Sequence, residues 1–354
     1  MRKFRLIAAL MLLLFTGSAM AQDVPTRAQL PAGWNQISPG GATICGHGAP
    51  YSFYYREGES NNLVIDFQGG GMCWDGQTCN ISTTTFDDSV LANDSSDNPG
   101  LASIGIMNPG NGDNPFGSSD IVYVNYCTGD MHTGDRTVGY SYNDTYFEVN
   151  HRGRVNAEAV LNWVYNNIPT PDSVFVTGCS AGAVGAAYWS ADIMRHYPGQ
   201  RVTLFGDSGA WRGIADKFTQ WGATYNGSSN NLSIPQFYLG AARAFPNNIV
   251  AMYNTFYDET QNFFNYIGFS SVPYADGLAA NLRDLVNGAS NFRYYTQGGS
   301  LHCILPRDEF YLYAADYVRL IDWLNDIMQG QHVPNVDCAA DDCTNPGIYN
   351  HSFP

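Results

Sequence analysis

The sequence contains very little lysine. Lys3 and Lys217 are its only lysines, and its 354 residues carry a formal net charge of −15 at pH 7. Nucleic-acid binding requires clustered cations that neutralise phosphates. The composition therefore argues against a nucleic-acid partner, and its negative field also opposes long-range attraction to other polyanions.

Long apolar runs are equally scarce. The run at residues 6–15 is too short to cross a bilayer as a helix, and no later stretch is long enough to be an integral membrane segment. This run follows three basic residues and precedes Ala-Met-Ala at 19–21, the pattern of a cleavable signal peptide at residues 1–21. We therefore expect an exported protein, extracellular or periplasmic. Loss of the three basic residues would change the net charge from −15 to −18.

The sequence has no Cys-x-x-Cys pair, which argues against a structural zinc site. We predict neither a metal nor another cofactor. The eight cysteines all lie within residues 22–354. An even number of cysteines in an exported chain predicts disulfides.

Residues 22–354 contain no internal repeat and no low-complexity linker, so we expect one domain. The segment 84–112 is rich in Asp, Asn, Ser, Gly and Pro, and we interpret it as a long surface insertion. Elsewhere strand and helix patterns alternate, which predicts an α/β fold with a mostly parallel central sheet and helices on both faces. The predicted strands are 63–67, 121–125, 174–177, 202–205, 249–253 and 292–295, and the predicted helices are 154–167, 183–196, 276–286 and 314–328.

The most informative motif is Gly178-Cys179-Ser180-Ala181-Gly182, between a predicted strand and a predicted helix. This is the G-x-S-x-G nucleophile elbow of α/β-hydrolases in its expected context. The turn exposes the serine hydroxyl at a helix N-terminus, where amides and the helix dipole favour negative charge. We predict an α/β-hydrolase-like fold with Ser180 as nucleophile. The alternative is a glycine-rich strand–helix turn without chemistry.

A second glycine cluster, Gln68-Gly69-Gly70-Gly71, follows the strand at 63–67. In α/β-hydrolases a loop at this place donates a backbone amide to the oxyanion hole. Glycine lets the main chain come close to a developing oxyanion. The residue after the nucleophile, Ala181, is expected to supply another amide, and an ordinary glycine turn is the alternative for the loop.

Chain order favours His302 as general base, because the triad of α/β-hydrolases runs serine, acid, histidine. His302 follows the last predicted strand through a glycine-rich loop, although a surface-loop histidine is the alternative. The other six histidines precede Ser180, end a predicted helix, or lie in or near the C-terminal tail. They are His47, His132, His151, His196, His332 and His351.

The acid must lie between Ser180 and His302, directly after a strand. Asp258 is preferred, because the strand before the histidine strand is the commoner donor. Asp207 is the second candidate and would otherwise be a buried or turn-capping carboxylate near the site, and Glu259 is a weaker third. The acid would orient the imidazole and stabilise its cationic form.

Cysteines flank both proposed reactive residues. Cys179 directly precedes the nucleophile and Cys303 directly follows the base. If nucleophile and base touch, these cysteines are close enough for a disulfide that holds the two together. Proximity along the chain then suggests three further pairs, which are Cys73–Cys79, Cys338–Cys343 and Cys45–Cys127.

Four blocks of the sequence resemble the pectin acetylesterase family, whose animal relatives are the Notum-type carboxylesterases. The blocks are 63–73 (LVIDFQGGGMC), 124–130 (VNYCTGD), 176–182 (VTGCSAG) and 205–209 (FGDSG). The similarity extends to the regions around Asp258 and His302. Two departures are Met72 in place of the tryptophan of plant members and Gln68 in place of their glutamate. We therefore expect a different substrate wall near the oxyanion hole.

The resemblance implies an α/β-hydrolase-type fold with a Ser-Asp-His triad and no metal. It places the triad on Ser180, Asp258 and His302. It places the oxyanion amides on Gly70, Gly71 and Ala181, and it supports a structural role for the Asp207 block.

These observations predict a secreted serine carboxylic-ester hydrolase whose partner is an ester substrate. The resemblance suggests O-acetyl groups on a polysaccharide such as pectin. Because the negative net charge opposes binding of a polyanion, an esterase or depolymerase for longer acyl or polyester substrates is the alternative. A scaffold does not fix function, so a non-catalytic secreted binding protein is a third possibility.

Overall fold

The computed structural model describes residues 24–211, 214–269, 272–340 and 342–344. The predicted signal peptide at residues 1–21 and His351 lie outside the described residues. No helix in these ranges combines the length and the apolarity that a membrane span requires.

Strands and helices alternate along most of the chain. The strands are β1 (Trp34–Ile37), β2 (Phe53–Arg56), β3 (Asn62–Phe67), β4 (Asp120–Val124), β5 (Arg136–Tyr142), β6 (Thr145–His151), β7 (Ser173–Cys179), β8 (Arg201–Asp207), β9 (Ile249–Thr255), β10 (Phe292–Gln297), β11 (Ala314–Ala315) and β12 (Val318–Arg319). The helices are α1 (Gly76–Cys79), α2 (Gly153–Asn167), α3 (Ala181–His196), α4 (Ala215–Gln220), α5 (Ile234–Ala244), α6 (Glu259–Phe264), α7 (Tyr274–Gly288) and α8 (Leu320–Met328). Each predicted strand falls within or overlaps an observed one.

Eight of the strands form one sheet in the order β1-β2-β4-β3-β7-β8-β9-β10. The six strands from β4 to β10 in this order are parallel to one another. Strands β1 and β2 add an antiparallel edge. The predicted fold, a mostly parallel sheet of the α/β-hydrolase type, is confirmed.

Both faces of the sheet are buried, because apolar side chains point to each side of the central strands. Helices α2, α3, α5 and α7 contribute to the core on one face. Helix α8 and two short 3₁₀ turns, Gly105–Met107 and Asp308–Tyr311, cover the other. The helices therefore lie on both sides, as the alternating pattern predicted.

The register of the central strands brings their C-terminal ends to one edge. Gly178 in β7 lies opposite Phe67 in β3 and opposite Gly206 in β8. Cys179, the last residue of β7, pairs with Asp207, and Asp207 pairs in turn with Tyr253 in β9. Residues that follow these strands consequently share one rim of the molecule.

The predicted helix at 314–328 is wrong in its first part. Residues 314–319 form the β11–β12 hairpin, and α8 begins only at Leu320. Asp316 and Tyr317 have φ values of 47° and 59°. Two successive residues with positive φ make the type of turn that suits a two-residue hairpin and cannot continue a helix.

The β5–β6 hairpin was not predicted, although the sequence carries its signal. Asn143 and Asp144 form its turn with φ values of 49° and 62°. Asn and Asp are the residues that tolerate this left-handed conformation best after glycine. Strands β1 and β2 were also missed, because each has only four residues.

The segment 84–112 is only partly the surface insertion that we predicted. Asp97 and Ile106 are each 1% exposed. The amide of Ile106 donates to the carbonyl of Leu305, and a Cβ on Gly105 would lie 2.1 Å from that same oxygen. Its composition is polar because of its turns, yet part of the segment packs against the chain that follows His302.

All eight cysteines are paired in the described structure. The disulfides are Cys45–Cys127, Cys73–Cys79, Cys179–Cys303 and Cys338–Cys343. These are the four pairs that the sequence suggested. Four disulfides are typical of proteins that mature in an oxidising compartment.

Candidate active site

Ser180 lies at the sharp turn between β7 and α3 and is almost buried. Its backbone has φ 58° and ψ −123°, a conformation that few non-glycine residues adopt. A Cβ on Gly178 would lie 2.4 Å from the carbonyl oxygen of Gly182, and a Cβ on Gly182 would lie 1.8 Å from that of Phe67. Both glycines are therefore required by the packing of β3 against the turn.

The glycine loop after β3 lies directly against this turn. An ideal Cβ on Gly69 would lie 3.3 Å from the Cβ of Ser180. Gly70 and Gly71 have φ values of 133° and 77°, and a Cβ on Gly71 would lie 2.0 Å from the carbonyl of Thr85. The loop can follow this path only with glycine at these positions.

Three backbone amides of the glycine loop and the elbow have no acceptor among the described residues. In the described residues, no hydrogen bond uses the amides of Gly70, Gly71 or Ala181. Ala181 is the first residue of α3, so its amide has no partner inside the helix. Amides left open in this way can stabilise an oxyanion.

Gln68 holds the glycine loop, which the sequence did not predict. Its side-chain oxygen accepts from the amide of Tyr126 at 2.8 Å and from the side chain of Asn125 at 2.9 Å. Its nitrogen donates to Asp97 at 2.8 Å and to the carbonyl of Ser96 at 2.9 Å. A glutamate could not donate these last two hydrogen bonds. The side-chain amide of Gln68 and the segment 84–112 therefore hold each other in place.

Asp258 and His302 are hydrogen-bonded. The imidazole Nδ1 lies 2.8 Å from Oδ2 and 3.0 Å from Oδ1 of the buried carboxylate. Asp258 is also the N-cap of α6 and accepts from the amide of Gln261 at 2.8 Å. The structure thus brings together the acid and the base that the sequence preferred.

Gln261 was missed by the sequence analysis, and it supports Asp258. Its side-chain nitrogen donates to Asp258 Oδ2 at 2.9 Å and lies 3.1 Å from Asn254 Oδ1. Its oxygen accepts from the amide of Ala210 at 2.8 Å. The position i+3 from an N-cap acid is a capping position, which is the only sequence signal that could have identified it.

Asp207 and Glu259, the other two candidate acids, do not contact the ring of His302. Asp207 Oδ2 accepts from the amides of Ile304 and Leu305 at 2.7 and 2.9 Å, so it anchors the loop that carries the histidine. Burial raises the pKa of Asp207 to about 6, against the opposing effect of these hydrogen bonds. Glu259 accepts instead from the hydroxyl of Ser300 at 3.0 Å.

The disulfide between Cys179 and Cys303 joins the elbow to the histidine loop. The two Cα atoms lie 5.6 Å apart. A ring nitrogen of His302 and both sulfur atoms lie within 4.8 Å of one another. The imidazole therefore lies beside the residue that precedes Ser180.

Two other histidines, His132 and His151, are buried and hydrogen-bonded to backbone carbonyls. The ring of His132 contacts the carbonyl of Gln68 at 2.9 Å, and that of His151 contacts the carbonyl of Thr128 at 2.8 Å. Burial lowers the pKa of each to about 4. Burial therefore favours the neutral form of both rings at pH 7.

Residues suited to a metal are few in the described structure. Three groups of His, Cys and acidic side chains are close enough together, and each includes two disulfide-bonded cysteines. Cysteine binds a metal ion as a thiolate, and a sulfur atom in a disulfide is not a thiolate. These groups therefore do not form metal centres while the disulfides are intact.

Two cavities lie near these groups, one beside His302 and the other beside the elbow residues Gly178 and Cys179. One of about 740 Å³ is lined by His302, Arg307, Tyr257 and Tyr313. The other, of about 470 Å³, lies beside Gly69, Gly70 and Cys179, and its walls are mainly apolar. The apolar side chains of this second cavity include Phe67, Pro99, Ile104, Ile106, Met107 and Leu305. Both volumes are in the usual range of ligand pockets.

Three large side chains, Met72, Trp211 and Trp221, are buried and do not form a substrate wall. Met72 is fully buried in the core and lines neither cavity. Trp211 is 2% exposed and Trp221 is fully buried, so neither offers a surface for stacking against sugar rings.

Comparison with known proteins supports the fold and identifies the family. The profile of the pectinacetylesterase family matches residues 36–231, more than half of the chain. No curated protein matches the chain. Two crystal structures of the Wnt deacylase Notum from Drosophila have a similar fold. Crystal form I has a TM-score of 0.60 and 16% sequence identity over 83% of this chain and 92% of that chain. Crystal form II has a TM-score of 0.59 and 17% identity over 83% and 93%. The chain belongs to the pectinacetylesterase family, a family of ester hydrolases.

Proposed function

We propose that the protein is an exported serine ester hydrolase that removes O-acetyl groups from a polysaccharide such as pectin. The observation that carries the proposal is the Asp258–His302 hydrogen bond beside the Ser180 elbow. Family membership supports the acetyl group and the polysaccharide. The four disulfides support export.

In the proposed mechanism, His302 is the general base. Asp258 accepts a hydrogen bond from the protonated Nδ1 of His302, which leaves Nε2 as the free basic nitrogen. Nε2 takes the proton of Ser180 as Oγ attacks the ester carbonyl. The carbonyl oxygen becomes negative, and the amides of Gly70, Gly71 and Ala181 stabilise it.

Collapse of the tetrahedral intermediate completes the first half-reaction. The carbon–oxygen bond to the alcohol breaks, and the alcohol leaves with the proton from His302 Nε2. Water then attacks the acyl-serine with His302 again as base, and the acid is released. Because the leaving alcohol takes its proton from His302, we assign the cavity of about 740 Å³ beside this histidine to the alcohol part of the substrate.

The second cavity favours another candidate, a hydrolase for longer acyl groups. An acetyl group needs little space, whereas about 470 Å³ with apolar walls beside Gly69 and Gly70 suits a longer chain. The fold also serves a deacylase in Notum.

An acyl-length series distinguishes the two candidates. We expect acetylated pectin to release acetate, and nitrophenyl acetate to be hydrolysed with a higher kcat/KM than the hexanoate and octanoate. A higher kcat/KM for the longer esters, without acetate release from pectin, would favour the second candidate.

The same preparation tests for catalysis through Ser180. A fluorophosphonate probe should label the folded protein at Ser180, and Ser180→Ala should lose both labelling and ester hydrolysis with little change in melting temperature. Without labelling of the intact protein, the hydrolase proposal fails and a non-catalytic binding role remains.

A further inference from the structure

The alcohol-side cavity contains one strong cationic group. Among the described residues that line it, Arg307 is the only arginine or lysine. The two aromatic rings in its wall are Tyr257, which is 47% exposed, and Tyr313. Aromatic rings with nearby polar groups suit a sugar better than they suit a hydrocarbon chain.

Arg307 is fixed to the loop that carries the base. Its Nε donates to the carbonyl of Cys303 at 3.0 Å and to that of His302 at 3.3 Å. Within the described residues, its two terminal amino groups have no hydrogen-bond or ion-pair partner. The guanidinium is therefore held against the loop of His302, on an exposed side chain that lines the cavity.

A guanidinium in this state favours a particular ligand group. Its planar donors match the two oxygens of a carboxylate, and charge-assisted bonds of this kind are among the stronger hydrogen bonds. The only acidic side chain in the described lining is Glu259, which is already held by the hydroxyl of Ser300. An external carboxylate on the alcohol part of the substrate could therefore bind Arg307.

We propose that Arg307 binds the carboxylate of a uronate unit on the alcohol side of the scissile ester. The enzyme would then prefer glycans with free uronate groups to the same glycans with methyl-esterified uronates. This inference rests on the proposed function in taking a polysaccharide as the substrate.

The negative charge of the whole protein does not prevent such binding. At physiological ionic strength the Debye length is about 8 Å, so distant surface carboxylates are largely screened. Arg307 acts at hydrogen-bond distance, where screening is weak. The net charge of −15 then slows the approach of a polyanion more than it weakens the bound complex.

Calorimetric titration of the whole protein with oligogalacturonate, and with its fully methyl-esterified form, tests the inference. We expect the wild type to bind the free acid more tightly. Arg307→Gln should weaken binding of the free acid about tenfold and abolish the difference between the two ligands. Arg307→Lys should lie between, because lysine keeps the charge but not the two-pronged geometry.

Two further variants control for folding and for charge. Arg243→Gln is the matched control, since Arg243 Nε also donates to a backbone carbonyl, that of Gly288, in a helix away from this cavity. It should bind both ligands as the wild type does. Glu259→Gln removes the opposing charge and should tighten binding of the free acid about two- to fivefold.

The outcomes separate this inference from the proposed function. The inference is overturned if the wild type binds both ligands equally, or if a folded Arg307→Gln retains the preference for the free acid. Because calorimetry does not require turnover, binding with the expected pattern but without acetate release would overturn the proposed function alone.

Discussion

Ser180 combines a strained backbone with a hydroxyl at the N-terminus of a helix. Backbone strain of this kind costs about 1–3 kcal/mol and persists only where the surroundings enforce it. Here the amide of Ser180 donates to the carbonyl of Asp207 at 2.8 Å, and glycine at 178 and 182 leaves room for β3. The contacts that enforce the strain therefore also fix the direction of the Cα–Cβ bond of Ser180.

Gln261 is the residue that we expect to position the acid. In Gln261→Met, the bond from its side chain to Asp258 is lost, while the bond from its backbone amide remains. We expect kcat to fall about tenfold with little change in KM, because one bond that orients Asp258 is removed. Steady-state kinetics with nitrophenyl acetate, together with the pH profile of kcat, measure this effect.

A loss of stability alone must be separated from a loss of orientation. Gln261→Met also leaves the amide of Ala210 without its acceptor, so the melting temperature is recorded for each variant. Gln220→Met is the control, since the side-chain amide of Gln220 donates to the carbonyl of Trp74 and to the hydroxyl of Tyr140, not to Asp258. Equal losses of kcat in both variants would contradict a positioning role for Gln261.

At the scale of elements, the loop after β10 is the critical one, because it carries His302. The carboxylate of Asp207 binds the amides of Ile304 and Leu305. The disulfide of Cys303 binds the same loop to the elbow. The loop is therefore attached to the ends of both β7 and β8, which are neighbours in the sheet.

We predict that the Cys179–Cys303 disulfide positions the base. Replacing both cysteines with alanine should lower kcat more than tenfold while the protein remains folded at 25 °C. The physical reason is that the base then loses its covalent attachment to the elbow and samples more positions. Kinetics and circular dichroism of the same samples provide the measurement.

The Cys45–Cys127 disulfide offers a matched control. It closes a loop of similar size, with a sequence separation of 82 against 124, but it does not involve the histidine loop. In the chain-entropy account, each bond contributes about 5 kcal/mol to stability. If both double-alanine variants lose stability and kcat alike, the Cys179–Cys303 bond has no specific role in positioning.

The rim on which the proposed reactive residues lie could be predicted from the sequence, because the register of parallel strands is regular. Ser180, Asp258 and His302 each follow a strand, and adjacent parallel strands end at one edge. Gln68 could not be predicted in its role, since its partners Asp97 and Tyr126 are brought near by a long loop and by another strand. The β11–β12 hairpin was missed because its two-residue strands are too short for a periodic pattern.

At the scale of the whole molecule, several acidic groups are buried in spite of the large negative charge. Burial raises the pKa of Asp66 to about 8, that of Asp87 to about 7, and those of Asp130 and Asp207 to about 6. Asp66 lies in the wall of the apolar cavity, and Asp207 raises its pKa further. The folded protein therefore keeps protons that the unfolded chain has already released.

This excess of bound protons predicts that stability falls as the pH rises from 7 to 9. In the unfolded chain Asp66 ionises near its ordinary value of 3.8, whereas in the folded protein it ionises near 8. The contribution of Asp66 to the free energy of unfolding is thus complete below pH 4 and is lost as the pH rises through 8. Buried His132 and His151 act in the opposite direction, but only below about pH 6.5, the ordinary pKa of histidine.

Asp66→Asn isolates this effect, because asparagine stays neutral at every pH. Loss of one proton between pH 7 and 9 corresponds to about 1 kcal/mol, or about 2–4 °C in melting temperature. Differential scanning calorimetry at both pH values should show this fall in the wild type and a smaller one in Asp66→Asn. Asp216→Asn makes the same substitution at an exposed site and should behave as the wild type does. An equal fall in all three proteins would mean that Asp66 is already ionised at pH 7, so that the apolar cavity would contain a charge.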